Sequence, residues 1–118
     1  PTGMAVDPTT HHLFVGGGPN LVMMDTRTGA VLASVGICGG TDATFYDAAL
    51  KTAFVSCRDG HIAVVAVTGN TLKVTETITT TPGARTMALD PLTHRLYVAG
   101  GDRAVADSFR VLVFAPGR

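Results

Sequence analysis

Any chemistry in this chain has to come from a short set of polar residues. Asp42 and Arg85 supply a carboxylate and a guanidinium, and the run Arg58-Asp59-Gly60-His61 adds a second charged group of residues. A carboxylate and a guanidinium at one opening can hold a polar ligand or set up proton transfer, and a histidine two residues from an aspartate is a candidate acid or base. The simpler readings are an Asp42–Arg85 pair that rigidifies the fold and a solvent-facing His61. Cys38 and Cys57 either form a bridge, if their Cα atoms lie within about 7 Å, or stay as two unpaired thiols partly buried in packed loops; neither has an adjacent base to make it a nucleophile. His11, His12 and His94 are of a metal-binding type, but adjacent residues in a turn seldom point at one ion and no cysteine or carboxylate cluster completes a tetrahedral set. No metal and no cofactor are expected. Gly16-Gly17-Gly18 and Gly39-Gly40 lack the helix that a phosphate-binding loop feeds, so they read as turn residues.

The elements that must position these residues are visible as an internal repeat. Three segments superimpose: GMAVDPTTHHLFVGG from Gly3, ATFYDAALKTAFVSC from Ala43 and TMALDPLTHRLYVAG from Thr86. In each, an aspartate (Asp7, Asp47, Asp90) precedes an aromatic (Phe14, Phe54, Tyr97) by seven residues, and the aspartates are 40 and then 43 residues apart. That period is the length of one four-stranded β-propeller blade, about 40 to 50 residues.

Each repeat reads as four strands joined by turns. In the first, Met4 to Val6 is the inner strand, Asp7-Pro8 opens a turn, Leu13 to Val15 returns, Gly16 to Asn20 is a loop, Leu21 to Met24 is the third strand and Ala30 to Val35 the outer one. The second repeat supplies Ala43 to Tyr46, Ala53 to Ser56, His61 to Val67 and Leu72 to Ile78. The third supplies Met87 to Leu89, Leu96 to Val98 and Arg110 to Phe114, and its fourth strand is missing. The expected fold is therefore all-β: a single partial propeller over 1–118, with blades at about 1–40, 41–83 and 84–118. Asp7, Asp47 and Asp90 recur with the fold and cap their turns, and Asp25 reads the same way. The near-continuous apolar runs LFV, LVMM, IAVVAV and VLVF suit strands packed on both faces. An open arc of three such sheets leaves one face bare at each end and an unpaired edge on the last strand, which calls for a partner: more chain, another copy or a different subunit.

The loop into each inner strand and the loop between second and third strands open on one face, around the channel mouth. Thr2, Asp42 and Arg85 occupy equivalent positions there, with Arg58, Asp59 and His61 in the second-to-third-strand loop of the middle blade; Cys38 and Cys57 map to the same face. Nine basic and nine acidic residues cancel, so nothing in the overall charge attracts nucleic acid. No apolar run approaches the roughly 20 residues that span a bilayer as a helix, and no membrane insertion is expected. Because the chain opens at Pro1, any targeting segment is expected to have been removed or to lie upstream in a larger parent.

PTGMAVDP, LVMMDTRTG, GGTDATFYDAA, FVSCRDGHIAVV and PGARTMALDPLTHRLYV together resemble the YVTN-type β-propeller repeat proteins of bacteria. The resemblance covers nearly the whole chain and implies the last three blades of a longer, usually seven-bladed and usually exported protein, in which an N-terminal strand closes the final blade. Upstream blades are absent here, and Gly101 to Ser108 replaces a tight turn with a longer insertion. A periplasmic or extracellular setting follows from the resemblance. The leading expectation is a non-catalytic binding or scaffolding propeller, because the distinctive residues serve turns and packing. The alternative is an enzyme or redox-enzyme subunit, lactonase-like or dehydrogenase-associated, with a polar site at the channel mouth, since related propellers host such chemistry.

Overall fold

The computed structural model describes residues 1–101 and 104–116, and among these there is no helix. Eleven strands form three antiparallel sheets: β1 Gly3–Asp7, β2 His12–Gly17, β3 Asn20–Asp25 and β4 Val31–Gly36; β5 Thr41–Asp47, β6 Thr52–Cys57, β7 His61–Thr68 and β8 Thr71–Thr79; and β9 Met87–Leu89, β10 Leu96–Gly100 and β11 Arg110–Phe114. Strand order follows chain order in every sheet, and the third has three strands among the described residues.

One device makes all three first turns. Asp7 accepts the Thr9 N–H and the Thr10 hydroxyl, Asp47 accepts the Ala49 and Leu50 N–H groups, and Asp90 accepts the Leu92 N–H and the Thr93 hydroxyl. Four residues after each aspartate the backbone turns left-handed, at His11 (φ 62°), Lys51 (φ 51°) and His94 (φ 61°). These side-chain bonds substitute for the ladder until the chain has reversed.

The loop expected from Gly16 to Asn20 is shorter than its composition suggests. Gly16 and Gly17 belong to β2, where they pair with Leu21 and Asn20, so only Gly18 and Pro19 make the turn. Gly18 sits at φ 56°, and a glycine at the first central position is what a tight hairpin turn of this length requires. Farther along, part of the expected insertion from Gly101 to Ser108 lies outside the described residues.

The core is divided between the sheets. Phe14, Leu21 and Met23 from the first sheet pack on Ala53, Val55, Ala63, Val65 and Val67 of the second. The opposite face of the second sheet presents Phe54, Ile62 and Val64 to Ala84, Met87, Leu96 and Val98 of the third. Alternate residues of β6 and β7 thus point to two different dry interfaces, which is why these strands are apolar throughout rather than every second residue. At the ends of the stack the covering stops, and Met4, Val6, Val111 and Val113 are all at least half exposed.

The sheets approach closely at their inner ends because glycine allows it. A Cβ at Gly3 would run into the Asp42 carbonyl oxygen, and one at Gly16 would lie 2.8 Å from Thr44 Oγ1. Gly3→Ala is expected to destabilise the chain by about 1–3 kcal/mol through overpacking. Gly36→Ala, whose added carbon meets only the Asn20 side chain at 3.7 Å, should stay within about 0.5 kcal/mol of the parent. Denaturant unfolding of the two variants makes the comparison; equal losses would rule out close sheet approach as the reason for Gly3.

Candidate functional site at the channel mouth

The turn between β6 and β7 is the hub of this face. Arg58 and Asp59 form its tip, and Gly60 (φ 94°) turns the chain into β7 with its N–H bonded to the Cys57 carbonyl at 3.1 Å. On one side, the Arg58 N–H donates to the Gly40 carbonyl (2.9 Å) and the Gly39 N–H donates to Asp59 Oδ2 (3.1 Å). Cys38 and Cys57 are joined there as a disulfide with Cα atoms 6.2 Å apart, so the alternative of two unpaired thiols falls. On the other side, the Gly83 N–H donates to the Arg58 carbonyl (2.9 Å) and the Thr80 N–H to the Gly60 carbonyl (2.7 Å). One three-residue turn is therefore tied both to the segment entering β5 and to the segment leading toward β9.

The entries to the inner strands are stitched in the same way. Thr2 Oγ1 donates to the carbonyl of Thr41, at 2.7 Å, and joins the first sheet to the second. Ser56, fully buried, accepts the Ala43 N–H at 3.0 Å and donates to the Arg85 carbonyl at 2.5 Å, joining the second to the third. Arg85 Nε and Asp42 Oδ2 stand 3.7 Å apart, both partly exposed. An exposed pair at that distance contributes about 0–1 kcal/mol, so the buried Ser56 bridge outweighs it in holding these sheets together.

His61 Nδ1 lies 3.0 Å from Asp59 Oδ1, with both side chains well exposed. The hydrogen bond from His61, and then that from Gly39, hold the Asp59 carboxyl below the usual carboxylate range. His11 sits in its turn, while His12 is buried at the start of β2 with Nε2 3.3 Å from Asn70 Oδ1. Adjacency in sequence thus sends the two rings to different surroundings.

Beside the hub lies an open cleft of about 850 Å3, walled by Arg58, Thr81, Pro82, Gly83, Arg85 and Arg110 among others. Asp42, Asp59 and His61 do not line it. Three arginines from three elements thus line one space, and of these only Arg85 has a carboxylate partner among the described residues. Planar guanidinium forks match carboxylate and phosphate oxygens, so this arrangement can hold an anion. Sequence reasoning passed over Arg110. It begins β11 in the register where His61 begins β7 and Asn20 begins β3, pairing with Gly100 as they pair with Cys57 and Gly17. Aligning the third strands of the repeats would have put Arg110 at the mouth.

Reduction of the Cys38–Cys57 bridge is expected to lower stability by about 2–4 kcal/mol, read as a fall in denaturant midpoint with added reductant; an unchanged midpoint would show that the hydrogen bonds alone hold the hub. A carboxyl whose folded pKa is depressed contributes stability above its ordinary range and loses it as pH falls through the depressed value. Thermal unfolding followed from neutral to strongly acidic pH should therefore drop less steeply for Asp59→Asn than for the parent, and coincident curves would refute a role for this carboxylate in stability.

No protein-family model and no curated protein sequence matches the chain. Solved structures do match. A chain of the mitotic checkpoint complex superimposes with a TM-score of 0.74 at 18% identity, over 92% of this chain and 34% of that one. A candidate 6-phosphogluconolactonase from Bacteroides uniformis gives 0.76 at 17% identity, over 98% and 37%. The β-propeller domain of Cps50 (Swd1) from Myceliophteria thermophila gives 0.59 at 19% identity, over 94% and 40%. This chain spans between a third and two fifths of each of these chains, and identities this low speak for fold alone. Radially stacked antiparallel sheets of four, four and three strands, matched by propellers over nearly their whole length, make this chain three blades of a β-propeller.

Proposed function

We propose that the chain belongs to a non-catalytic binding propeller of the YVTN type, exported to the periplasm or cell exterior, with its ring completed by further blades and an anionic group held at the channel mouth. The observation that carries the reading is the cleft walled by Arg58, Arg85 and Arg110. The other polar residues of the mouth are engaged with one another: Asp42 with Arg85, Asp59 with His61 and the Gly39 N–H, and Ser56 with the backbone on both sides. Three of the residues lining the space are arginines, a residue type suited to recognising an anion. The disulfide supports an oxidising compartment, where such bridges persist. The repeat period and the quoted motifs support the YVTN type.

A second reading is a lactonase-like enzyme. It is favoured by the likeness over 98% of this chain to the candidate 6-phosphogluconolactonase, whose name specifies a phosphorylated sugar lactone. On that reading the arginines hold the phosphate, and the Asp59–His61 pair on the same turn as Arg58 serves as acid or base.

Calorimetric titration with gluconate 6-phosphate at low and high salt tests both readings. Binding should weaken with salt, and Arg58→Ala with Arg110→Ala should reduce affinity by about tenfold or more, the scale of hydrogen bonds to charged groups. Affinity indifferent to both substitutions would overturn the arginine site. Hydrolysis of the corresponding lactone, lost in His61→Ala, would establish the enzymatic reading instead.

A further inference from the structure

The disulfide between Cys38 and Cys57 departs from the repeat. Cys57 ends β6 opposite His61, and the residues in the same register of the other two blades are Gly17, opposite Asn20, and Gly100, opposite Arg110. Thr81 stands in the third blade where Cys38 stands in the second, at the same spacing that separates Asp47 from Asp90. The two positions come together there as well, since a Cβ at Gly100 would lie 2.8 Å from Thr81 Oγ1. The third blade therefore makes the same junction with no covalent bond. What is particular to the second blade is Arg58, the residue that follows Cys57.

The bond fixes the backbone on both sides of that arginine. Cys38 leads into Gly39 and Gly40, and the Arg58 N–H donates to the Gly40 carbonyl at 2.9 Å. A Cβ at Gly40, itself at φ 71°, would lie 3.4 Å from Cβ and Cδ of Arg58 and 3.5 Å from its Cγ, so the stem of the arginine runs along the Gly40 backbone. The segment is also held to the first blade, where the Ile37 and Thr41 N–H groups donate to the carbonyls of Pro19 (2.8 Å) and Gly18 (3.1 Å). Once the disulfide is opened, its hold on the β6–β7 turn rests on two hydrogen bonds, Arg58 to Gly40 and Gly39 to Asp59. Of the three arginines lining the cleft, Arg58 is the one whose stem lies against a segment that a disulfide fixes. A long side chain ordered before its ligand arrives gives up less conformational freedom on binding.

We infer that the Cys38–Cys57 bond sets the anion affinity of the cleft through Arg58, so that a dithiol reductant lowers the affinity and reoxidation restores it. The inference rests on the reading that the arginines hold an anion, and it adds the regulation of that site. Cys38 is partly exposed and Cys57 fully buried, so a thiolate of the dithiol attacks Cys38 Sγ. The protein disulfide breaks as a mixed disulfide forms, and Cys57 leaves as a thiolate that takes a proton from solvent. The second thiolate of the dithiol then attacks the reductant's own sulfur in the mixed disulfide and releases Cys38, which is protonated in turn. The dithiol ends as a disulfide, and two electrons have passed to the protein.

Calorimetric titration with gluconate 6-phosphate, on the oxidised chain, the chain reduced with dithiothreitol and the chain reoxidised, reads the effect. Reduction should weaken binding by about twofold to tenfold, the scale of ordering one long side chain. The loss should be reversed by reoxidation, vanish in Arg58→Ala and persist in Arg110→Ala, because only the first removes the group on which the bond acts. Circular dichroism shows whether the reduced chain is folded. If it is not, Cys38→Thr with Cys57→Gly, the pair of residue types at the third blade's junction, takes the place of the reductant and must show the same loss. Affinity unchanged in a folded chain lacking the bond overturns the inference and leaves the arginine site standing. An equal loss in Arg58→Ala also overturns it, and so does a chain that unfolds in both cases, since the bond then serves stability alone. An oxidised parent that binds no gluconate 6-phosphate overturns the arginine site itself, and this inference with it.

Discussion

Phe14 lies flat against Tyr46 of the next sheet, and around that contact Leu21 and Met23 share one buried cluster with Ala53, Val55 and Val65. Each of the large side chains contributes about 1.5–3 kcal/mol when fully buried. No sheet in this fold can gain that alone, because a strand apolar on both faces is dry only when a neighbour covers each side. The second sheet has both neighbours: Val55 and Phe54, adjacent in sequence, are buried in different interfaces. The first and third sheets each have one. Stability here belongs to pairs of blades, and the length of the stack decides how much of it is realised.

Packing of that kind governs the wide part of each blade. Near the axis the sheets converge, and the contacts change from apolar to polar. Glycine at positions 3 and 16 brings backbone against backbone, and Thr2, Ser56 and the Arg58–Gly60 turn then satisfy the polar groups of neighbouring sheets with hydrogen bonds. Stitched at the backbone, the mouth becomes a frame on which Arg58 packs against Gly40 and Arg85 stands beside Asp42. Loops on rigid sheets are where propellers can vary binding without disturbing the core.

Much of this architecture is legible in the residues. The aspartate-to-aromatic spacing repeats because the same turn and the same buried ring recur, and the unbroken apolar runs report covering on two faces. Both are local signals. The bridge between Cys38 and Cys57 is not local: a separation of 19 residues leaves the Cα distance undetermined until the entry to β5 and the end of β6 are laid side by side. Arg110 and Arg58 line one cleft from different blades, so no short window of sequence contains it, and only the alignment of the third strands points to Arg110. The Gly18-Pro19 turn was obscured for a different reason. A run of three glycines suggests a loop, yet two of them extend the ladder, since a strand needs no side chain where a partner strand supplies its hydrogen bonds.

The turn aspartate shows how one residue type can serve local and long-range structure together. In the first and third blades a threonine three residues on, Thr10 or Thr93, donates to Oδ2, while Oδ1 takes the backbone N–H. In the second blade that position is Leu50, so both backbone bonds fall on Oδ1 and Oδ2 turns instead to His94 of the next blade. The sequence change from threonine to leucine in one turn thus accompanies a change in what the carboxylate meets across the interface. Serine or asparagine would cap such a turn nearly as well. Only a carboxylate combines two accepting oxygens with a charge that attracts a neighbouring histidine, which gives a physical reason for aspartate at position 47.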